Sequence, residues 1–252
     1  MAEEWKEPLG EGVRLTVSPF HRFTTDSVLL ASFSYQMSGA GSRAADLCAG
    51  NGVIPFLWLA RERREGKRKF SRIDMVELQP EAHLLCEKSV LEHGEEERMF
   101  PHLGDLRRLE GVLPAGRFDF VSCNPPYKAL GGGIQNAAQE RRAARHESFC
   151  SLEELSASAA RLLRFGGKFC LCQRPERLCD VLCALREAKI EPKYLRLVQQ
   201  RRDKEPSLFL LCGIRGGKPG MRCLPTLQIE EGGGFSDEMR EIYGPDFFRE
   251  RE

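Results

Sequence analysis

The chain has 252 residues, of which 41 % are hydrophobic and 30 % charged, with a net charge of +1 at neutral pH. That balance belongs to a globular chain with residues enough for one substantial core. It excludes a disordered polymer and a uniformly basic nucleic-acid coat, so any footprint for nucleic acid has to be a local patch. No run is long and apolar enough to read as a membrane span, and the charged start Met-Ala-Glu-Glu-Trp-Lys has no apolar signal core, so a cytoplasmic protein is expected. Of ten cysteines, Cys123, Cys170, Cys172 and Cys212 fall in apolar runs and Cys86, Cys179 and Cys183 in helical patterns, where thiols pack as small hydrophobes. Cys170 and Cys172 are one residue too close for a C-x-x-C pair and no Cys/His set has zinc spacing, so no metal is expected.

Residues 1–25 read as a leader in which the alternation Val13-Arg14-Leu15-Thr16-Val17 predicts a short strand or hairpin. A helix follows, capped by Thr25 or Asp26, with Leu29, Leu30 and Phe33 on one face. The polar corner Thr24-Thr25-Asp26 is either that cap alone or a surface turned to a ligand. Residues 43–57 predict a strand, a turn through Cys48-Ala49-Gly50-Asn51-Gly52, and a helix with Pro55 in its first turn. After an exposed basic run over 61–72, residues 73–77 form a second strand ending in Glu77, one strand–helix–strand step beyond Asp46. An acid there either caps the next helix or accepts a pair of hydroxyls. Pro80 opens a helix that runs to His93 and stops at Gly94, and residues 99–105 form a third strand with Asp105 at its tip. Asp105 is a turn residue or a ligand acceptor.

The fourth strand, 118–123, runs into Asn124-Pro125-Pro126-Tyr127. Two adjacent prolines stop a buried strand and turn the chain rigidly at its carboxyl edge, which is where open α/β sheets hold ligands. The loop 128–147 is long, and its Arg141, Arg142 and Arg145 are either a solvated face or contacts for phosphates. Ser151-Leu152-Glu153-Glu154 is a capping box that begins a helix with Leu155, Leu162 and Leu163 on one stripe, ended by Gly166-Gly167. A fifth strand at 169–172, a helix at 175–188, and strands at 193–198 and 207–214 follow. The last two are joined too tightly for a crossover helix, so they should pair antiparallel. The tail, 225–244, reads as a strand, a glycine turn and a short capped helix.

Asn-Pro-Pro-Tyr resembles the fourth motif of S-adenosylmethionine-dependent amino-methyltransferases, and Asp46 with Gly50 and Gly52 resembles the cofactor motif of class I methyltransferases, with Cys48 where that family has a glycine. The stretches 22–31, 144–147 and 239–244 are similar to the bacterial tRNA (adenine-N6)-methyltransferases that modify an adenine beside the anticodon of a valine tRNA. This resemblance implies an α/β fold with a seven-stranded, mostly parallel Rossmann-like sheet, an antiparallel last strand and helices on both faces. It implies a single domain over 1–252, with an extension over about 1–42. S-adenosylmethionine would be held by Thr25, Asp46, Cys48, Gly50, Asn51, Gly52, Glu77, Leu78, Asp105, Leu106 and Asn124. Asn124, Pro125, Pro126 and Tyr127 would carry the methylation of adenine N6 in tRNA, and Arg141, Arg142 and Arg145 would meet RNA phosphates. Adenine in ribosomal RNA or DNA, and glutamine in a release factor, are the competing substrates. Enzymes of the last kind usually carry a helical domain ahead of the cofactor motif, for which the 45 residues before Asp46 are too few.

Overall fold

The computed structural model describes residues 3–125 and 150–245. An antiparallel hairpin, β1 (Trp5–Gly10) with β2 (Val13–Val17), comes first, and α1 (Thr25–Met37) follows. Then β3 (Ser42–Leu47), α2 (Val53–Glu65), β4 (Phe70–Glu77), α3 (Pro80–His93), β5 (Met99–Leu103) and β6 (Phe118–Cys123) alternate. Beyond them lie α4 (Leu152–Leu162), β7 (Leu163–Gln173), a 3-10 turn (Pro175–Arg177), α5 (Leu178–Glu187), β8 (Ile190–Gln199) and β9 (Pro206–Arg215). The two-residue strands β10 (Arg222–Cys223), β11 (Leu227–Gln228), β12 (Glu230–Glu231) and β13 (Gly234–Phe235) precede α6 (Asp237–Tyr243).

The central sheet runs β5-β4-β3-β6-β7-β9-β8, parallel except for β9, which is antiparallel to both its neighbours. Seven long strands are as expected; β10 and β11, both parallel to β8, bring the sheet to nine. Chain order reverses between β3 and β6, and a crevice opens at such a switch point.

The middle strands read as continuous apolar runs because helices cover both of their faces. On one face α1 and α2 lay Leu29, Leu30, Phe56 and Trp58 over Phe70 and Phe120. Trp58 stacks on Phe70 at 4.5 Å between ring centroids, and its indole N–H donates to the Ala31 carbonyl (3.2 Å) and to Ser34 Oγ (3.0 Å). On the other face α4 and α5 cover Phe118, Phe169 and Phe209 with Leu155, Leu162, Val181 and Leu185.

Several expectations are corrected. The basic run over 61–72 is not one exposed surface. Helix α2 continues to Glu65, and β4 already starts at Phe70. Glu62, within that run, is buried and paired with Arg98 at 2.5 Å, and its other oxygen accepts the backbone N–H of Lys69 and Phe70. Helix α1 is entered at Thr24, whose side chain makes no cap bond. Leu163 opens β7 instead of closing a helical stripe, and Gly166-Gly167 lies inside that strand. There a Cβ on Gly167 would come within 2.9 Å of the Arg164 carbonyl. Cys86, Cys123, Cys170, Cys172 and Cys212 are buried, whereas Cys179 and Cys183 stand exposed on α5.

Candidate active site

A cavity of about 490 Å³ opens at the carboxyl ends of β3, β4, β5 and β6. Its floor is the turn after β3, where Cys48, Gly50 and Gly52 all take left-handed backbone, with φ of 55°, 58° and 87°. Glycine adopts that region freely, while cysteine in it is strained by about 1–2 kcal/mol. The turn is laced to the neighbouring strand: Ala49 N–H donates to the Val76 carbonyl (3.0 Å) and Gly50 N–H to Glu77 Oε2 (2.7 Å). Glu77 Oε1 accepts Gln79 N–H (2.9 Å), and its carbonyl accepts Gly104 N–H (2.8 Å). One acid thus ties the ends of three strands together. Each of its oxygens keeps a lone pair for a ligand.

The acids assigned to the cofactor separate in the structure. Glu77 and Asp105 line the cavity, as do Cys48, Gly50, Asn51, Leu78, Leu106 and Asn124. Asp46 does not. It sits one residue inside β3, fully buried, with Oδ1 accepting the Ser122 hydroxyl at 2.5 Å and Oδ2 without a hydrogen-bond partner among the described residues. Burial pushes its carboxyl up to about 8, with the Ser122 hydrogen bond opposing and the Glu77 charge reinforcing. Asp105 is gripped by Arg107 through paired bonds of 2.6–3.0 Å, which holds its carboxyl below the usual range. Gly52 and Thr25 are also outside the lining. Gly52 instead faces inward, where a Cβ would meet Cys86 Sγ at 2.7 Å. At the corner before α1 it is Thr24 and Ser27 that line the cavity.

Asn124 follows the last residue of β6 and enters the cavity wall. Its Nδ2 donates to Ser27 Oγ (2.9 Å), and the Cys172 thiol donates to its Oδ1 (3.1 Å). Pro125 is buried and outside the lining, while Pro126, Tyr127, Arg141, Arg142 and Arg145 lie outside the described residues. Sequence reasoning missed the wall contributed by the leader and the first turn of α1, which includes Phe20, Phe23 and Ser27. Asn51 holds it in place, donating from Nδ2 to the His21 carbonyl at 3.0 Å. The only hint was the polar 24–26 corner, which a helix cap explains equally well.

The residues present fit S-adenosylmethionine. A Cβ on Gly50 would project into open space, the cavity has the size of a nucleoside-type ligand site, and the Glu77 carboxylate stands at a strand tip suited to vicinal hydroxyls. Among the described residues no group of three or more His, Cys, Asp or Glu side chains is placed to hold a metal ion. No helix among them is long and apolar enough to cross a membrane.

No family model matches the chain. Over 194 residues it is 26 % identical to a tRNA1(Val) (adenine(37)-N6)-methyltransferase of Porphyromonas gingivalis, covering 75 % of this chain and 72 % of that one. It is 31 % identical over 158 residues to the protein of that name in Musicola paradisiaca, covering 63 % and 60 %. A shorter match, 29 % over 85 residues, reaches 34 % of this chain and 26 % of a ribosomal protein uL3 glutamine methyltransferase of Bordetella pertussis. In fold it resembles a predicted O-methyltransferase of Agrobacterium tumefaciens with a TM-score of 0.68 at 21 % identity, over 86 % of this chain and 95 % of that one. It also resembles the Thermus thermophilus 16S rRNA N2 G1207 methyltransferase, solved with AdoMet and guanosine, at a TM-score of 0.55 and 18 % identity, over 84 % and 50 %. By fold and by sequence, the chain is an S-adenosylmethionine-dependent methyltransferase of class I, similar to the bacterial tRNA1(Val) (adenine-N6)-methyltransferases.

Proposed function

We propose that the protein methylates the exocyclic N6 of an adenine in tRNA, at the position beside the anticodon of a valine tRNA. The observation that carries this reading is Asn124, held at the end of β6 in the wall of the same cavity that the glycine turn and Glu77 enclose. The amine of adenine is a poor nucleophile because its lone pair is delocalised into the ring. Asn124 Oδ1 and the Pro125 carbonyl accept its two hydrogens and localise that pair, and Tyr127 stacks on the base, an interaction of about 1–3 kcal/mol. Bound S-adenosylmethionine supplies an activated methyl on a sulfonium. Glu77 would accept the ribose hydroxyls and Asp105 the adenine amine of that cofactor. The methyl group it would supply sits on a group that departs neutral, so the residues of this chain would need only to hold the amine in place and let its surplus proton go to solvent. No strong base is required, so catalysis is chiefly positioning. The target base has to be unstacked, at a cost of a few kcal/mol, which favours a loop over a duplex.

Residues 1–252 then form one methyltransferase domain with an extension over about 1–42, working in the cytoplasm where tRNA is met. Arg141, Arg142 and Arg145 hold RNA phosphates. Neutralising all three should flatten the salt dependence of RNA binding, and an unchanged slope would refute that role. The match to a glutamine methyltransferase favours a second reading, amide methylation of a protein, which the same Asn-Pro-Pro-Tyr chemistry would serve. Labelled cofactor offered with separated tRNA, ribosomal RNA, DNA and release-factor or ribosomal-protein pools distinguishes these. Incorporation into tRNA, mapped to the adenine beside the anticodon, is the expected result. Label in another pool with tRNA blank overturns it.

A further inference from the structure

Between Leu163 and Lys168, β7 advances five residues while its partner β6 advances two, from Phe118 to Phe120. The surplus loops out at the amino edge of the sheet, opposite the cavity, and carries Arg164 and Phe165 with it. Phe165 is 77 % exposed, the most open of the large apolar side chains among the described residues. Its ring rests against Gly216, where a Cβ would overlap it at 2.1 Å. Cations gather round this seat. Gly216 N–H donates to the Lys189 carbonyl (2.8 Å), Arg215 Nη1 donates to the Leu163 carbonyl, and Arg117 N–H donates to the Leu162 carbonyl (3.0 Å). Lys218 follows two residues after Gly216. Lys189 takes a left-handed φ of 62° just past the end of α5, a place that glycine fills most readily. In the same segments Asp119 is paired with Arg164 and Glu191 with Arg186. Arg117, Lys189, Arg215 and Lys218 have no ion-pair partner among the described residues, against one exposed acid in the same position, Glu187.

An open aromatic ring among uncompensated cations suits unpaired nucleic acid, with a base on the ring and phosphates on the cations. A lipid surface is met by several apolar side chains together, and Phe165 stands alone between Arg164 and Gly166. We infer that this edge is a further RNA-binding surface, in which Phe165 stacks on an unpaired base and Arg117, Lys189 and Lys218 hold the phosphates beside it. Strand β6 separates it from Asn124 by about 20 Å, a distance that a folded RNA of tRNA size spans. The identity of the RNA rests on the tRNA reading above.

The test is filter binding of unmodified tRNA to the full chain across a salt series, with cofactor affinity by calorimetry as the control for an intact cavity. Arg117→Gln, Lys189→Gln and Lys218→Gln together should flatten the slope of log Kd against log salt by about 2–3, since each phosphate contact contributes roughly 0.7–0.9. Phe165→Ala should weaken binding about tenfold with the slope kept, as the loss of one stacked base would. Cofactor Kd should stay within about twofold in both variants. An unchanged slope in the triple variant, Phe165→Ala binding tRNA like the parent, or a parallel loss of cofactor affinity each overturns the inference. So does a change seen only on vesicles of mixed phosphatidylcholine and phosphatidylglycerol, which would make this edge a membrane contact. If the parent methylates another nucleic acid and leaves tRNA blank, it is the tRNA reading that fails, and the same variants titrated with that nucleic acid still decide this surface.

Discussion

Asp46 is the residue whose surroundings yield the sharpest number. Its carboxyl is fully buried, has one hydrogen-bonded oxygen and one without a partner among the described residues, and is pushed up to about 8. In the unfolded chain it titrates near the ordinary aspartate value of about 3.9. Between those two values the folded protein carries a proton that the unfolded chain has released, so stability falls as pH rises. The slope is about 1.4 kcal/mol per pH unit for one group, or roughly 3 kcal/mol from pH 5 to pH 7. Asp46→Asn removes this titration and keeps an oxygen for the Ser122 hydroxyl. Subtracting the parent's unfolding free energy from the variant's, by urea titration at pH 5, 6, 7 and 8 without cofactor, cancels the other titrating groups. The difference should grow in the variant's favour with that slope and level off above about pH 8. A difference that stays flat from pH 5 to 8 would mean Asp46 is ionised throughout, and the burial argument would be wrong.

Asn124→Ala should leave cofactor Kd within about twofold by calorimetry while lowering turnover by orders of magnitude; loss of cofactor binding instead would contradict a role confined to the target. Glu77→Gln puts an amide donor against one of the two backbone N–H groups of Gly50 and Gln79, each held at under 3 Å. That substitution also replaces charge-assisted bonds to the ribose hydroxyls, each worth about 1.5–3 kcal/mol, so a cofactor Kd raised about tenfold or more is expected and an unchanged one refutes the assignment. Gly50→Ala suffers only its left-handed backbone, about 1 kcal/mol, since its Cβ meets nothing, whereas Gly52→Ala adds an overlap with Cys86 Sγ and should cost clearly more in the unfolding midpoint. Equal losses at the two positions would argue against that packing.

The elements whose signals are local were legible. Helix α3 runs from Pro80 to His93 with Gly94 as its left-handed stop, β6 covers 118–123 as read, and the capping box at Ser151 closes through both of its bonds. What the chain does at 163–167 was not legible, because a glycine pair after a helical stripe signals a stop. Here the helix hands over directly to a strand, and the register slips between Phe118 and Phe120 beside it. At that irregularity the strand needs a residue without a Cβ. The cavity wall built from the leader was hidden for another reason. It depends on Asn51 reaching the His21 carbonyl, a bond between segments 30 residues apart that leaves no periodic trace in either.

Three acids near the ends of three adjacent parallel strands look interchangeable as letters, and their surroundings make them different. Asp46, one residue too early, is sealed under the turn with its carboxyl pushed up by burial, and it braces β3 to β6 through Ser122 without lining the cavity. Asp105 lines it, with Arg107 closing on both of its oxygens. Glu77 receives two backbone N–H groups, neutral donors that fix its direction and leave its charge uncompensated by any cation partner among the ion pairs of the described residues. A cationic cofactor therefore meets a wall whose negative charge is concentrated at one strand tip. The same two N–H bonds draw the glycine turn and the start of α3 toward that tip. The group that orients the ligand is thus also the group that shapes the floor, and this is why its replacement should be felt in affinity before it is felt in chemistry.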